Sequence, residues 1–142
     1  MKFRKILAHN ELDFDKIYSA YSHTFPEEER RNLSQFQELT RGENVAVFSL
    51  ENQDFSFGYA ILWQFDSFCF LEHFEIFEEF RGQNLGSSVL KKMQSDFGNI
   101  LLEIEPENLN DTAKKRLSFY KKNGFDYVGS TDGLSKFQKK RG

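Results

Sequence analysis

The segment of residues 68–87, FCFLEHFEIFEEFRGQNLGS, decides the fold of this chain. It lies in a run, residues 67–77, in which both alternating faces are mostly apolar, and this pattern predicts a central strand covered on each side. A polar loop with two glycines follows, and residues 84–97 then carry apolar side chains at helical spacing. Residues 99–105 form a short apolar run that predicts another buried strand. Strand, helix and strand in this order predict one βαβ unit.

Further strands and helices are predicted on both sides of this unit. Before it, the spacing predicts an edge strand, a helix and two antiparallel strands, over residues 2–7, 11–24, 45–50 and 55–65. After it, we expect a helix from Asp111 to Gly124 and two strands, 125–130 and 134–138, around an Asp132-Gly133 turn. Together they predict an α/β (α+β) fold, a single domain over residues 1–142 with a central mixed sheet of about six to seven strands and helices on both faces.

A second helix is predicted near Pro26, which is followed by three glutamates. Proline suits the first helical position, and acidic groups complement the helix dipole. Leu33, Phe36 and Leu39 are spaced so that they would face inward.

Composition excludes several classes of protein. The apolar runs among the 142 residues, Phe68 to Leu71 included, are far shorter than the roughly 20 residues of a membrane span. The apolar stretch after the basic start ends after three residues, so we expect no export signal. The single cysteine, Cys69, cannot form an internal disulfide, and no cysteine and histidine residues have zinc spacing. We therefore expect a cytoplasmic protein without membrane contact or metal.

The charge balance bears on the partners. The chain carries 19 basic and 22 acidic side chains, which gives a formal net charge of -3. Nucleic-acid binding normally needs a basic field, which this balance does not provide. We therefore expect small molecules or proteins as partners, and we do not expect nucleic acid.

The loop of residues 81–87, RGQNLGS, is the segment that indicates chemistry. A loop of small residues between a strand and a helix presents backbone N–H groups, which with the helix dipole form a cradle for a phosphate or pyrophosphate. Two glycines near a helix start also form plain tight turns, so both interpretations stay open here. The loop lacks the G-K-[ST] ending of a P-loop and follows antiparallel strands, which disfavours NTP chemistry and a dinucleotide-binding unit.

Three short motifs follow one another along the chain: residues 70–74, FLEHF; residues 81–86, RGQNLG; and residues 119–125, FYKKNGF. They resemble Y-L-E-[HD]-F, [QR]-x-x-[GA]-x-[GA] and F-Y-x-x-x-G-F of the GNAT superfamily of acyl-CoA N-acyltransferases. Asn84 occupies a glycine position of the second motif, and asparagine is among the residues that best tolerate a left-handed backbone. Ala113 stands where many relatives have an asparagine that contacts CoA.

This resemblance implies acetyl-CoA as the cosubstrate and direct attack of an amine on its thioester in a ternary complex. It nominates Tyr120 as the acid that protonates the leaving thiolate and Glu72 as the base that takes the amine proton. The alternative for Tyr120 is a packing aromatic residue with a satisfied hydroxyl. The alternative for Glu72 is a carboxylate that anchors the amine or pairs with a basic neighbour. Glu75 and His73 are weaker substitutes for the base.

The resemblance also implies how the cosubstrate binds. Backbone N–H groups of Phe74, Glu75 and Ile76 are expected to hold the pantetheine arm and polarise the thioester carbonyl. The pyrophosphate is expected on the loop residues Arg81, Gly82, Gln83, Asn84, Leu85, Gly86 and Ser87. A bulky side chain at either glycine would block this approach.

We expect an N-acetyltransferase that acts on a primary amine of a small molecule, and the glutamate-containing strand motif slightly favours a cationic amine. Two alternatives stay open: an acetyltransferase for protein N-termini or lysines, and an acetyl-CoA-binding sensing module without turnover. The resemblance also allows a homodimer through a C-terminal edge strand, since dimers are common among relatives.

Overall fold

The computed structural model describes residues 1–104, 110–131 and 134–139. These residues form seven strands: β1 (Lys2–Lys5), β2 (Val45–Asn52), β3 (Phe55–Gln64), β4 (Cys69–Ile76), β5 (Ile100–Ile104), β6 (Asp126–Thr131) and β7 (Leu134–Lys139). They also form four α-helices: α1 (Phe14–Thr24), α2 (Leu33–Leu39), α3 (Leu85–Phe97) and α4 (Asp111–Lys122). The strands lie in one sheet in the order β1-β2-β3-β4-β5-β7-β6, which confirms the predicted mixed α/β fold.

The chain divides into two compact units. The first comprises Met1–Trp63 and His73–Gly86, and the second comprises Gln64–Glu72 and Ser87–Gly142. Strand β4 therefore gives its first half to the second unit and its second half to the first. The expectation of a single domain over residues 1–142 stays a prediction.

The first unit contains β1, β2 and most of β3 together with α1 and α2. β2 pairs antiparallel with β3, as predicted, and β1 pairs antiparallel with β2 at the edge of the sheet. Apolar side chains of both helices and of the strands pack into one core, since burial of such surface is the main stabilising contribution to a fold. Its members include Phe14, Ile17, Tyr21, Phe36, Leu39, Val47, Tyr59 and Ile61.

The second helix begins later than predicted. Glu27–Glu29 form only a 3₁₀ turn, and Arg30 is extended. Helix α2 starts after Asn32, whose side chain accepts a hydrogen bond from the N–H of Gln35 while the Gln35 side chain accepts one from the N–H of Asn32. This reciprocal pair satisfies backbone donors at the helix start, which a proline cannot do. Leu33, predicted to face inward, is 48% exposed.

The second unit contains the predicted βαβ connection. β4 and β5 are parallel, with Cys69 opposite Ile100, and α3 connects them. β7 pairs antiparallel with β5 and with β6, which leaves β6 at the outer edge of the sheet. The predicted Asp132-Gly133 turn lies outside the described residues. Within the described ranges, no helix is long and apolar enough to cross a membrane.

Helix α4 has a clear signal at each end. At its start the side chain of Asn110, to which the sequence assigned no role, accepts a hydrogen bond of 2.8 Å from the N–H of Ala113. At its other end Gly124 has a φ of +89°, the left-handed conformation that commonly ends helices. The predicted bounds of this helix are therefore confirmed to within two residues.

Candidate active site

The loop between β4 and α3 has the backbone of an anion-binding turn. A 3₁₀ turn, Glu78–Phe80, follows β4, and α3 begins at Leu85. Gly82 and Asn84 both have left-handed backbones, with φ values of +82° and +61°. Left-handed residues in a turn bring successive N–H groups into one concave surface, which binds anions. Asn84 adopts the conformation for which its side chain suits it.

This loop fits a pyrophosphate. A Cβ built at Gly82 would meet none of the described atoms within 4 Å, so the space beside that backbone is open. The first turn of α3 carries no acidic residue, and a helix N-terminus has a partial positive charge. An anionic group can therefore approach the backbone without steric or electrostatic opposition from these residues.

The side chain of Arg81 folds back onto β4. Its Nε donates a 3.0 Å hydrogen bond to the carbonyl oxygen of Ile76, and its Nη2 lies 3.2 Å from Oε2 of Glu75. Both contacts join the first residue of the loop to the end of the strand that precedes it. Arg81 thus ties the start of the loop to the end of β4.

The carboxylate of Glu75 collects hydrogen bonds from three elements. Its Oε1 accepts from the hydroxyl of Thr24 at 2.9 Å and from that of Tyr59 at 3.0 Å, while its Oε2 faces Arg81. Its side chain is 15% exposed. Burial, the largest influence, raises the pKa of this carboxyl, but His73, Thr24 and Tyr59 outweigh it and hold the pKa below its usual value. A carboxylate with a lowered pKa is a weak proton acceptor, which disfavours Glu75 as the base.

His73 lies beside Glu75 within an aromatic environment. Its ring is 4.9 Å from that of Phe25 and 5.6 Å from that of Tyr59, measured between centroids. Its Nε2 is buried, has no hydrogen-bond partner within the described part of the chain, and lies 3.7 Å from Oε1 of Glu75. That separation is longer than a hydrogen bond, although His73 is among the groups that lower the pKa of Glu75.

The backbones of β3 and β4 come very close at Gly58. A Cβ built there would overlap the carbonyl oxygen of Glu75 and crowd the Cα of Ile76. Gly58 was not among the predicted site residues, although a glycine inside an apolar strand often marks close backbone approach. Gly58 therefore allows β3 to lie against the part of β4 that is predicted to bind the thioester.

Tyr120, the predicted acid, is buried in the second unit. It lies on α4 with 8% of its surface exposed, and its ring is 5.3 Å from that of Phe119 and 5.4 Å from that of Phe125. Burial raises the pKa of its hydroxyl, and the nearby charge of Arg116 only partly opposes this. The hydroxyl therefore keeps its proton at neutral pH, as a hydrogen-bond donor must.

The structure places the other predicted residues as follows. Glu72 is half-buried on the part of β4 that belongs to the second unit, and Ser87 lies in the first turn of α3 in the same unit. Phe74, Glu75 and Ile76 form the end of β4 in the first unit, where the hydrogen bonds of Arg81 join two of them to the loop.

Metal-binding side chains do not gather in the part of the chain that the structure describes, where no three histidine, cysteine, aspartate or glutamate residues could hold an ion. The single cysteine, Cys69, is buried in β4. Burial raises the pKa of its thiol to about 11, so the nucleophilic thiolate is scarce at neutral pH.

Two similarities to known proteins lie in the sequence. The sequence profile of the acetyltransferase (GNAT) family matches residues 13–125. YjbC of Bacillus subtilis (strain 168), described as a candidate acetyltransferase, is 31% identical over 114 residues, which are 80% of this chain and 58% of YjbC. The chain thus spans less than two thirds of the length of that relative.

The fold is similar to those of solved structures. A candidate GNAT acetyltransferase from Bacteroides thetaiotaomicron has a TM-score of 0.88 and 23% identity, with 99% of this chain and 88% of that one covered. The PaiA N-acetyltransferase of Thermoplasma acidophilum, solved with coenzyme A, has a TM-score of 0.68 and 14% identity, with 99% and 98% covered.

Proposed function

The chain belongs to the GNAT acetyltransferase family, and we propose that it transfers the acetyl group of acetyl-CoA to a primary amine of a small molecule. The observation that carries this proposal is the loop of residues 81–86, with left-handed backbones at Gly82 and Asn84 and open space beside Gly82. The coenzyme A bound to the Thermoplasma structure supports the same cosubstrate.

In the proposed reaction, the amine nitrogen forms a bond to the acetyl carbon, and the bond between that carbon and sulfur breaks. The amine loses one proton, and the sulfur of CoA gains one. Because an aliphatic ammonium with a pKa of about 10 has no lone pair, a base must first remove its proton. Glu72 is the proposed base, directly or through a water molecule.

Tyr120 is the proposed acid. Its raised pKa keeps the hydroxyl protonated, so it can donate a hydrogen bond to the sulfur as negative charge develops there. Backbone N–H groups at Phe74, Glu75 and Ile76 are proposed to hold the pantetheine arm and the thioester carbonyl. The proposed pyrophosphate site consists of the loop and the first turn of α3, from Arg81 to Ser87.

The proposed acceptor is a small cationic amine. The support for this is the FLEHF segment at residues 70–74, with its glutamate on a mostly apolar strand. The proposed location of the protein is the cytoplasm. The proposed reaction involves neither a membrane nor a nucleic acid.

The test is a thiol-release assay with purified protein, acetyl-CoA and a panel of polyamines, aminoglycosides, amino acids and peptides. Tyr120→Phe serves as the matched variant because it removes only the hydroxyl. We expect release that depends on one class of small amine and falls in the variant. Release with peptides alone would instead identify a protein acetyltransferase. Saturable acetyl-CoA binding without release from any acceptor would identify a sensing module and overturn the proposed enzyme.

A further inference from the structure

We propose that Glu75 is a positioning residue for the acetyl-CoA loop: its side chain, preset by Thr24 and Tyr59, holds Arg81 and so keeps residues 81–86 in the conformation that binds the pyrophosphate. This inference rests on the proposed function. It assigns to the Glu75 side chain a role that is separate from the role proposed for its backbone N–H group.

Arg81 is the first residue of the loop and contacts the strand that precedes it. Its guanidinium donates two hydrogen bonds to the end of β4, to the carbonyl oxygen of Ile76 at 3.0 Å and to Oε2 of Glu75 at 3.2 Å. The next residue, Gly82, has a φ of +82°, so the chain turns sharply directly after this anchor. Loss of the anchor would free the turn to sample other conformations, which weakens binding by an entropic cost.

The Glu75 carboxylate is oriented by the groups that donate hydrogen bonds to it. The hydroxyl of Tyr59 on β3 donates to Oε1, and the hydroxyl of Thr24 at the end of α1 shares its one hydrogen between Oε1 and the carbonyl oxygen of Ala20. They occupy one carboxylate oxygen and thereby direct the other, Oε2, toward Arg81. Because the side chain is only 15% exposed, few water molecules compete for these positions. Arg81 therefore meets a carboxylate whose direction is already fixed.

A role that passes from Glu75 to Arg81 has a consequence that a purely local role would not produce. Tyr59 lies on β3, and its hydroxyl reaches Glu75 rather than Arg81. If Glu75 transmits orientation, removal of this hydroxyl must weaken acetyl-CoA binding only while Arg81 is present. The effects of the two substitutions would then be non-additive.

The experiment is a double-mutant cycle in which the Kd of acetyl-CoA is measured by titration calorimetry for wild type, Tyr59→Phe, Arg81→Gln and the double variant. We expect Arg81→Gln to raise Kd by about tenfold, the loss of a charge-assisted contact. Tyr59→Phe should raise Kd by about threefold, the loss of one neutral hydrogen bond in the chain of contacts. In the Arg81→Gln background Tyr59→Phe should leave Kd unchanged.

Arg41→Gln is the matched control. Arg41 also pairs with a glutamate, Glu38, at 3.3 Å, and the side chains of Arg41 and Arg81 are both 56% exposed. Arg41→Gln removes the same charge and the same type of ion pair far along the sequence from the loop, so Kd should not change. Thermal unfolding of every variant checks that it is folded, and Thr24→Val is the second donor variant if Tyr59→Phe does not fold.

Two results would overturn the inference while leaving the proposed function intact. One is an unchanged Kd in both donor variants, and the other is the same increase in Kd in the wild-type and Arg81→Gln backgrounds. Absence of saturable acetyl-CoA binding by the wild-type protein would overturn the inference and the proposed function together. Non-additive loss of affinity with an unchanged unfolding midpoint would support the inference.

Discussion

The backbone of Gly58 on β3 lies so close to the carbonyl group of Glu75 on β4 that a Cβ at position 58 would overlap the carbonyl oxygen. The two backbones are therefore in close contact at the segment of β4 where the thioester is proposed to bind. Only a residue without a side chain permits this approach.

Gly58→Ala should destabilise the protein by about 1–3 kcal/mol, because the obstructing atoms are backbone and can move only with the strand. Gly129→Ala is the control: its φ of +152° adds backbone strain, but no described atom lies within 4 Å of its Cβ position, so the clash is missing. Chemical denaturation of both variants measures the difference. Equal losses of stability would show that β4 tolerates displacement at Glu75.

Tyr120→Phe should lower the rate of thiol release by about 100-fold, which is within the usual contribution of a general acid. The Kd of acetyl-CoA should not change, because the hydroxyl is proposed to act on sulfur only as the bond breaks. Steady-state kinetics and calorimetry measure the two quantities. A raised Kd with an unchanged kcat would assign Tyr120 to binding instead.

Glu72→Gln distinguishes the two proposed roles of this carboxylate. As the base, it is needed only while the amine is protonated, so kcat/KM should fall by about 100-fold at pH 7 and approach that of wild type near pH 10. Glu103→Gln on the neighbouring strand β5 also replaces a half-buried glutamate and should leave the rate unchanged. A raised KM for the amine at every pH, with kcat retained, would indicate an anchor.

Gly82→Val tests the backbone cradle. A valine is strained at a φ of +82°, and its side chain would enter the open space proposed for the pyrophosphate, so acetyl-CoA binding should be lost. Gly129→Val on β6 is the control, because Gly129 also has a positive φ, of +152°, and no described atom within 4 Å of its Cβ position. Retained affinity in a folded Gly82→Val protein would contradict the cradle.

Glu75 should make the stability of the protein sensitive to acid. A group whose pKa is lowered in the folded state stabilises the fold above its unfolded pKa, near 4.5, and loses this contribution as the pH falls through the folded value. Between pH 6 and pH 3, wild type should therefore lose more stability than Glu75→Gln, as measured by urea unfolding at each pH. Parallel losses in the two proteins would show that this carboxylate does not contribute.

The βαβ segment was predictable because its signals are local. Residues 67–105 contain a strand that is mostly apolar on both faces, a glycine-containing loop and a segment with helical spacing. The strands and the helix found there match the prediction. The left-handed backbone of Asn84 follows from the chemistry of one side chain. The start of α2 also has a local signal, the capping pair of Asn32 and Gln35. The more conspicuous signal at Pro26 led to a wrong predicted boundary.

Glu75 shows what the sequence could not provide. The alternation along β4 shows which neighbours share a face with Glu75. Its role, however, depends on Thr24, 51 residues away, on Tyr59, 16 residues away, and on Arg81. No periodicity specifies these pairings. They depend on which side of β4 faces α1 and on the register of β3 against β4.

The sequence by itself determined the family resemblance, the order of most elements and the loop proposed to bind acetyl-CoA, because these depend on residue types at short spacings. Tertiary structure alone decided that Glu75 is held by hydroxyl groups and Arg81, and that Gly58 brings two strands into close contact. The physical reason is range. Hydrogen bonds act over about 3 Å, so their partners are known only once distant parts of the chain are placed side by side.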